Sequence, residues 1–119
     1  MKAWIGAVAL VGTLASGSAA ALDGNDLLNG CKEADSANAS TKSSFTAGYC
    51  YGIVVSTIEL SVILKDGIAP NFQSCVPTEM TNQQAVRIVI KYLQGNPEQL
   101  HFSGSSLVIR ALHKAFPCK

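Results

Sequence analysis

The sequence contains few charged side chains and no marked excess of either sign. Asp, Glu, Lys and Arg together make up 14% of its 119 residues, and nine basic residues are set against eight acidic ones. A chain so close to neutrality lacks the basic field that attracts nucleic acid or an anionic membrane surface. We therefore expect no nucleic-acid partner, and we expect a protein partner to be recognised through shape and local patches.

The residue types that build active sites and metal centres are also scarce. The two histidines, His101 in a predicted loop and His113 on the last predicted helix, are both expected to face solvent. Glu59 stands alone in an apolar segment, where it is either partly buried and paired or exposed to water. No glycine-rich phosphate loop follows a strand, and no Cys or His pair has the spacing of a metal site. The sequence therefore predicts a binding or structural protein and not an enzyme, with no cofactor and no metal.

Residues 1–21 have the three parts of a secretory signal peptide. Lys2 provides the positive start, residues 3–14 form an uncharged apolar run, and residues 16–21 are small. We place the cleavage after Ala21 or one residue earlier. A membrane-spanning helix needs roughly 20 apolar residues, and Gly and Ser dilute the second half of this segment, so a membrane anchor is disfavoured. The sequence predicts an exported protein whose single domain covers residues 22–119.

The cysteines all lie beyond this predicted signal peptide, at Cys31, Cys50, Cys75 and Cys118. An even number of cysteines in a small exported chain is typical of disulfides. Zinc is the alternative, but the spacings are too wide for a usual zinc site. Because a small domain buries little surface, two bridges worth roughly 2–4 kcal/mol each would provide much of its stability.

Apolar spacing predicts an all-α fold, a compact bundle of four main helices. The predicted helices run from Asp23 or Asn25 to about Ala34, from about Ser44 to Leu64, from Thr81 to Gly95, and from about Ser105 to Ala115. Thr81 is followed three residues later by Gln84, which is the pattern of a capping box. A short helical turn is expected after Asn96, because Pro97 suits a first helical position.

The second predicted helix is the longest, and its apolar residues extend around much of its surface, which indicates burial on more than one side. Glu59 and a start rich in Ser, Thr and Gly argue against a transmembrane span. Gly48 and Gly52 lie on one face, where they would let another backbone approach closely. That backbone belongs either to another helix of the same chain, which is the simpler interpretation, or to a second copy in a homodimer.

Four cysteines allow three pairings, and the helix order favours one of them. Helices joined by a short link are expected to be antiparallel neighbours. Cys31, near the end of the first helix, then faces Cys50 in the early turns of the second. By the same reasoning Cys118, after the fourth helix, lies beside Cys75, before the third. We therefore predict the pairs Cys31–Cys50 and Cys75–Cys118.

Several short strings occur in a familiar order: Gly48-Tyr49-Cys50-Tyr51-Gly52, Cys75-Val76-Pro77, Ile90-Lys91-Tyr92-Leu93 with Asn96-Pro97-Glu98, and Arg110-Ala111-Leu112 with Ala115-Phe116-Pro117-Cys118. Over about Leu27 to Cys118 the chain resembles the Tai/Rap-type family of periplasmic immunity proteins. These neutralise peptidoglycan amidase toxins delivered by type VI secretion. The resemblance implies an all-helical fold, disulfides, frequent dimerisation, and binding of a cognate amidase near its active-site cleft.

The leading hypothesis is therefore occlusion of a cognate amidase by an exposed loop. One candidate loop, residues 94–104, offers Asn96, His101, Phe102 and Ser103, and the other, residues 65–74, offers Asn71 and Phe72. An exposed Phe in a polar loop is a plausible binding anchor. The alternative is that each Phe folds back onto the core, which we favour for Phe72. A periplasmic helical chaperone of the acid-stress type is the alternative function.

Overall fold

The computed structural model describes residues 22–36 and 45–119. Within those ranges the chain is all-helical, with α1 at Gly24–Asp35, α2 at Phe45–Ile63, α3 at Asn82–Gly95 and α4 at Gly104–Ala115. Short 3₁₀ turns lie at Lys65–Gly67, Pro70–Phe72 and Pro97–Gln99. The predicted fold of four helices is confirmed for these ranges. The predicted signal peptide lies outside them.

Local hydrogen bonds fix where α1 and α3 begin. The Asp23 carboxylate accepts from the backbone N–H groups of Asn25 (2.9 Å) and Asp26 (3.1 Å). These backbone hydrogen bonds, chiefly the one from Asp26, hold the pKa of Asp23 below its usual value. At α3 the Thr81 hydroxyl accepts from the Gln84 N–H at 3.1 Å, and the Gln84 side chain accepts from the Thr81 N–H at 2.8 Å. The predicted capping box at α3 is therefore present.

The core is built from one stripe of each helix. Its fully buried residues are Leu27, Cys31, Cys50, Val54, Ala85, Val86, Val89, Leu93, Leu107, Val108, Ala111 and Leu112. Within a helix these residues recur at intervals of three or four, so that they share one face. The result is a single apolar centre to which all four helices contribute.

Both predicted disulfides are present. Cys31–Cys50 joins the last turns of α1 to the first turns of α2, with its two Cα atoms 5.1 Å apart. Cys75–Cys118 joins the segment before α3 to the end of the chain, also with a Cα separation of 5.1 Å. Next to it the Cys75 N–H donates to the Phe116 carbonyl at 2.8 Å. One bridge therefore links α1 to α2, and the other links the segment before α3 to the segment after α4.

At three glycines, Gly24, Gly30 and Gly104, an added side chain would overlap a neighbouring part of the chain. A Cβ at Gly30 of α1 would overlap the carbonyl carbon and oxygen of Thr46 in α2. A Cβ at Gly104, the first residue of α4, would overlap the hydroxyl of Tyr49. Burial there raises the pKa of the Tyr49 phenol. Gly30 requires glycine because its neighbour is the backbone of another helix, whereas at Gly104 the neighbour is the end of the Tyr49 side chain.

The long helix α2 departs from the sequence expectation. Only Cys50, Val54 and Ser61 of its 19 residues are buried, so the prediction of burial on more than one side is wrong for the chain alone. The physical reason is that the other described helices pack along one side of α2. Glu59 is exposed. By length and composition α2 is also the one helix in the described ranges long and apolar enough to cross a membrane.

The same exposure changes the interpretation of Gly48 and Gly52. A Cβ built at either position meets no atom of the described chain within 4 Å. No helix of residues 22–36 or 45–119 therefore packs against these two glycines, contrary to the simpler interpretation. They lie on an open surface.

We predict that Gly30→Ala lowers the free energy of unfolding by about 1–3 kcal/mol, because the added methyl forces α1 and α2 apart. Urea denaturation followed by circular dichroism measures this change. Gly95→Ala is the matched control, since a Cβ there meets nothing within 4 Å, and it should leave stability unchanged or slightly higher. A Gly30→Ala variant as stable as the control would contradict the proposed close contact.

Candidate partner-binding surface

The segment between α3 and α4, residues 96–103 (hereafter the α3–α4 loop), is held by hydrogen bonds at both ends. The Asn96 side chain donates to the Tyr92 carbonyl at 2.8 Å. The Tyr92 hydroxyl bonds to the Gln99 side-chain oxygen at 2.7 Å. At the other end, the Phe102 carbonyl accepts from the Gly24 N–H at 3.0 Å, at the start of α1. The loop is therefore a fixed projection of the helical scaffold.

Phe102 is half-buried and packs against the core. The Arg110 guanidinium of α4 lies over the Phe102 ring, 4.8 Å from its centroid. The centroids of the His101 and Phe102 rings are 4.3 Å apart. Phe102 therefore supports the loop from beneath, as in the fold-back alternative. The sequence analysis named Arg110 only as part of the string Arg110-Ala111-Leu112 and assigned it no role beside the loop.

The exposed part of the loop differs from the part predicted to bind. His101, Pro97 and Glu98 are exposed. Asn96 is half-buried and uses its amide within the loop. Ser103 precedes α4, where its carbonyl accepts from the Leu107 N–H at 3.2 Å. Of the four residues predicted here, His101 is the one that is exposed.

The second predicted loop, residues 65–74, is closed by Gln73. The side-chain amide of Gln73 donates to the backbone carbonyls of Lys65 (2.9 Å) and Ile68 (2.7 Å). The backbone carbonyl of Gln73 lies 2.6 Å from Nδ1 of His113. Phe72 is 51% exposed, so the expectation that it folds back onto the core is wrong. Asn71 beside it is also exposed. This loop thus presents an apolar ring to solvent.

A third surface is the outward side of α2. Residues spaced three or four apart lie on one face of this helix. We define the α2 outer face as Phe45, Gly48, Gly52, Ser56, Glu59 and Ile63, which are all exposed. Phe45 is 77% exposed and Ile63 is 74% exposed. The two apolar side chains lie at opposite ends of this face, and Gly48, Gly52, Ser56 and Glu59 lie between them.

Clusters of titratable or metal-ligating side chains are sparse in the described residues. In residues 22–36 and 45–119 no group of three or more His, Cys, Asp or Glu side chains could hold a metal ion. All four cysteines are in disulfides. One ion pair is formed in these ranges, between Arg87 and Asp35, with 2.9 Å between Nε and the carboxylate oxygen. Hydrogen bonds, first from Arg87 and then from Gln83, hold the pKa of Asp35 below its ordinary value.

The fold is that of a small disulfide-linked helical protein whose α3–α4 loop is held by hydrogen bonds at both ends. The family model of the Rap1a immunity proteins matches residues 23–118. Since the match covers most of the chain, the chain belongs to the Rap1a immunity protein family. Searches of curated proteins and of solved structures return no significant match.

The Asp35–Arg87 pair predicts a specific pH dependence. The pKa of Asp35 is lower in the folded state than in the unfolded state. The pair therefore stabilises the fold at a pH above the ordinary Asp pKa of about 3.9. This stabilisation is lost as the pH falls through the folded-state pKa. Asp35→Asn should therefore cost at most about 1 kcal/mol at pH 7, since the pair is partly exposed. The difference from the original protein should vanish at a pH well below 3.9. Urea midpoints across the pH range measure this, and a difference independent of pH would contradict the assignment.

Proposed function

We propose that this chain is a periplasmic immunity protein that inhibits a peptidoglycan amidase effector of a type VI secretion system. The observation that carries the proposal is the family match over residues 23–118. The two disulfides support it, because such bonds persist in oxidising compartments such as the periplasm. The export signal predicted at residues 1–21 would bring the protein to where a cell-wall amidase acts.

Inhibition in this proposal is steric. The α3–α4 loop enters the active-site cleft of the amidase and excludes its substrate. The hydrogen bonds at Asn96, Tyr92 and Phe102 fix the loop before binding, so little conformational entropy is lost on association. His101 and Glu98 lie at the exposed part of this loop. No chemical step by this chain is required, which accords with a non-enzymatic role.

The α2 outer face supports a second element of the proposal, a homodimer. The occupant we propose is a second copy of this chain, because Gly48 and Gly52 are open and would let two α2 helices approach closely. Ser56 and Glu59 lie in the middle of the face, which suits a partly polar protein interface better than a bilayer interior. With about 1.5 Å of rise per residue, α2 offers a contact line nearly 30 Å long.

We predict that co-expression with periplasm-directed cell-wall cysteine amidases yields a stable complex with one of them and rescues the cells from lysis. Gel filtration detects the complex, and culture density detects rescue. A control without the amidase establishes that the chain alone has no effect on growth. Failure to bind or protect against every such amidase would overturn the proposed function.

Within that complex, His101→Ala should weaken binding by roughly tenfold or more, as expected for a central interface residue. Phe72→Ala is the matched control, because Phe72 is exposed on the other loop and its removal leaves the core intact. Calorimetric titration of the amidase measures both affinities. If Phe72→Ala weakens binding and His101→Ala does not, the loop of residues 65–74 is the one that enters the cleft.

For the dimer we predict that Gly52→Leu produces a monomer that retains its fold. The added side chain has open space in a single chain but would prevent two helices from meeting at Gly52. Gly67→Leu is the control, since a Cβ there is equally unobstructed. Sedimentation velocity measures the oligomer. A wild-type chain that sediments as a monomer at every concentration would exclude this interface.

A further inference from the structure

A groove of about 400 Å³ runs between the C-terminal parts of α3 and α4. It is lined by Ile88, Lys91, Tyr92, Gly95, Asn96, Ala111, Lys114 and Ala115. The lining residues of α3 recur at intervals of three or four, as do those of α4, so each helix presents one stripe to the groove. Gly95, Ala111 and Ala115 have small side chains or none, so the space between the two stripes is left open.

The groove carries positive charge that the described chain does not neutralise. Two of its lining residues are lysines and none is acidic. The ammonium of Lys114 lies 5.8 Å from the centroid of the Tyr92 ring, on the apolar floor. Among the described residues the one ion pair is Arg87–Asp35, so Lys91 and Lys114 have no carboxylate within ion-pair distance there. Since the formal net charge of the whole chain is only +1, this charge is a local feature.

A structural role accounts for only one of the two lysines. Lys114 lies in the last turn of α4, where a cation interacts favourably with the helix dipole. Lys91 precedes the last turn of α3, in which no basic residue lies. Its exposed charge at the rim of the groove is therefore available to an acidic ligand.

We propose that this groove binds an acidic segment of the amidase effector, with an apolar side chain on the floor and a neighbouring carboxylate between Lys91 and Lys114. The inference rests on the proposed function and extends its contact surface. Asn96 belongs both to the groove lining and to the α3–α4 loop. An effector that holds this loop in its cleft therefore presents the rim of that cleft to the groove. Charge complementarity across such a rim provides specificity and accelerates association.

The test is titration of the amidase found by co-expression with the full chain and its variants at two salt concentrations. Lys91→Glu should weaken binding by roughly tenfold and Lys91→Glu/Lys114→Glu by more, because a like charge then faces the carboxylate. Ala115→Phe fills the groove without a charge change and should also weaken binding. Lys32→Glu is the matched control and should bind as the original chain does. Lys32 is an exposed lysine of α1 that does not line the groove.

The salt dependence separates a direct ionic contact from a general loss of stability. Affinity of the original chain should fall as salt rises, and affinity of the double variant should not. If the original chain binds the amidase and Lys91→Glu and Ala115→Phe bind equally well, the groove inference is overturned while the proposed function stands. If no amidase binds the original chain, both are overturned. If the variants change the oligomeric state instead of amidase affinity, the groove receives a second copy of the chain and the inference is wrong.

Discussion

The contact between the end of α1 and the start of α2 is the constraint on which the rest of the structure depends. The Cys31–Cys50 disulfide is fully buried there, and the neighbouring Gly30 lets the α2 backbone approach at Thr46. Together they set the position of α2 relative to α1 at one end of α2. Val54, one turn further along α2, then reaches the common core with α3 and α4. A larger residue at Gly30 or loss of the disulfide would change this arrangement first.

Fixing α2 at its N-terminal end has a direct consequence for the surface. Beyond Val54 the helix continues for more than two turns with only Ser61 buried. Apolar residues in this part, such as Val62 and Ile63, therefore remain exposed. This uncovered surface supports the proposed homodimer, while the loop after α3 and the adjoining groove support the proposed contact with an effector. The dimer and effector surfaces lie on different elements, so both partners could bind at once.

Much of the local structure could be predicted from the sequence. The capping pattern of Thr81 and Gln84 depends on residues three apart, and the structure forms it as predicted. The disulfide pairing follows from helix order and short links, and the pairs Cys31–Cys50 and Cys75–Cys118 are both present. The orientation of the loop aromatics could not be predicted in the same way. Phe102 is covered by Arg110, which lies on the next helix, whereas Phe72 is 51% exposed.

By itself, the sequence determined the helix boundaries, the disulfide pairs and the resemblance to an immunity family, because each depends on local spacing or on the order of elements. Only the tertiary structure decided which side of α2 is covered, and therefore that Gly48 and Gly52 are open. It alone also brought Lys91 of α3 and Lys114 of α4 to one groove. The physical reason is that periodicity identifies an apolar or charged stripe, whereas the neighbour that covers it comes from a helix distant in sequence.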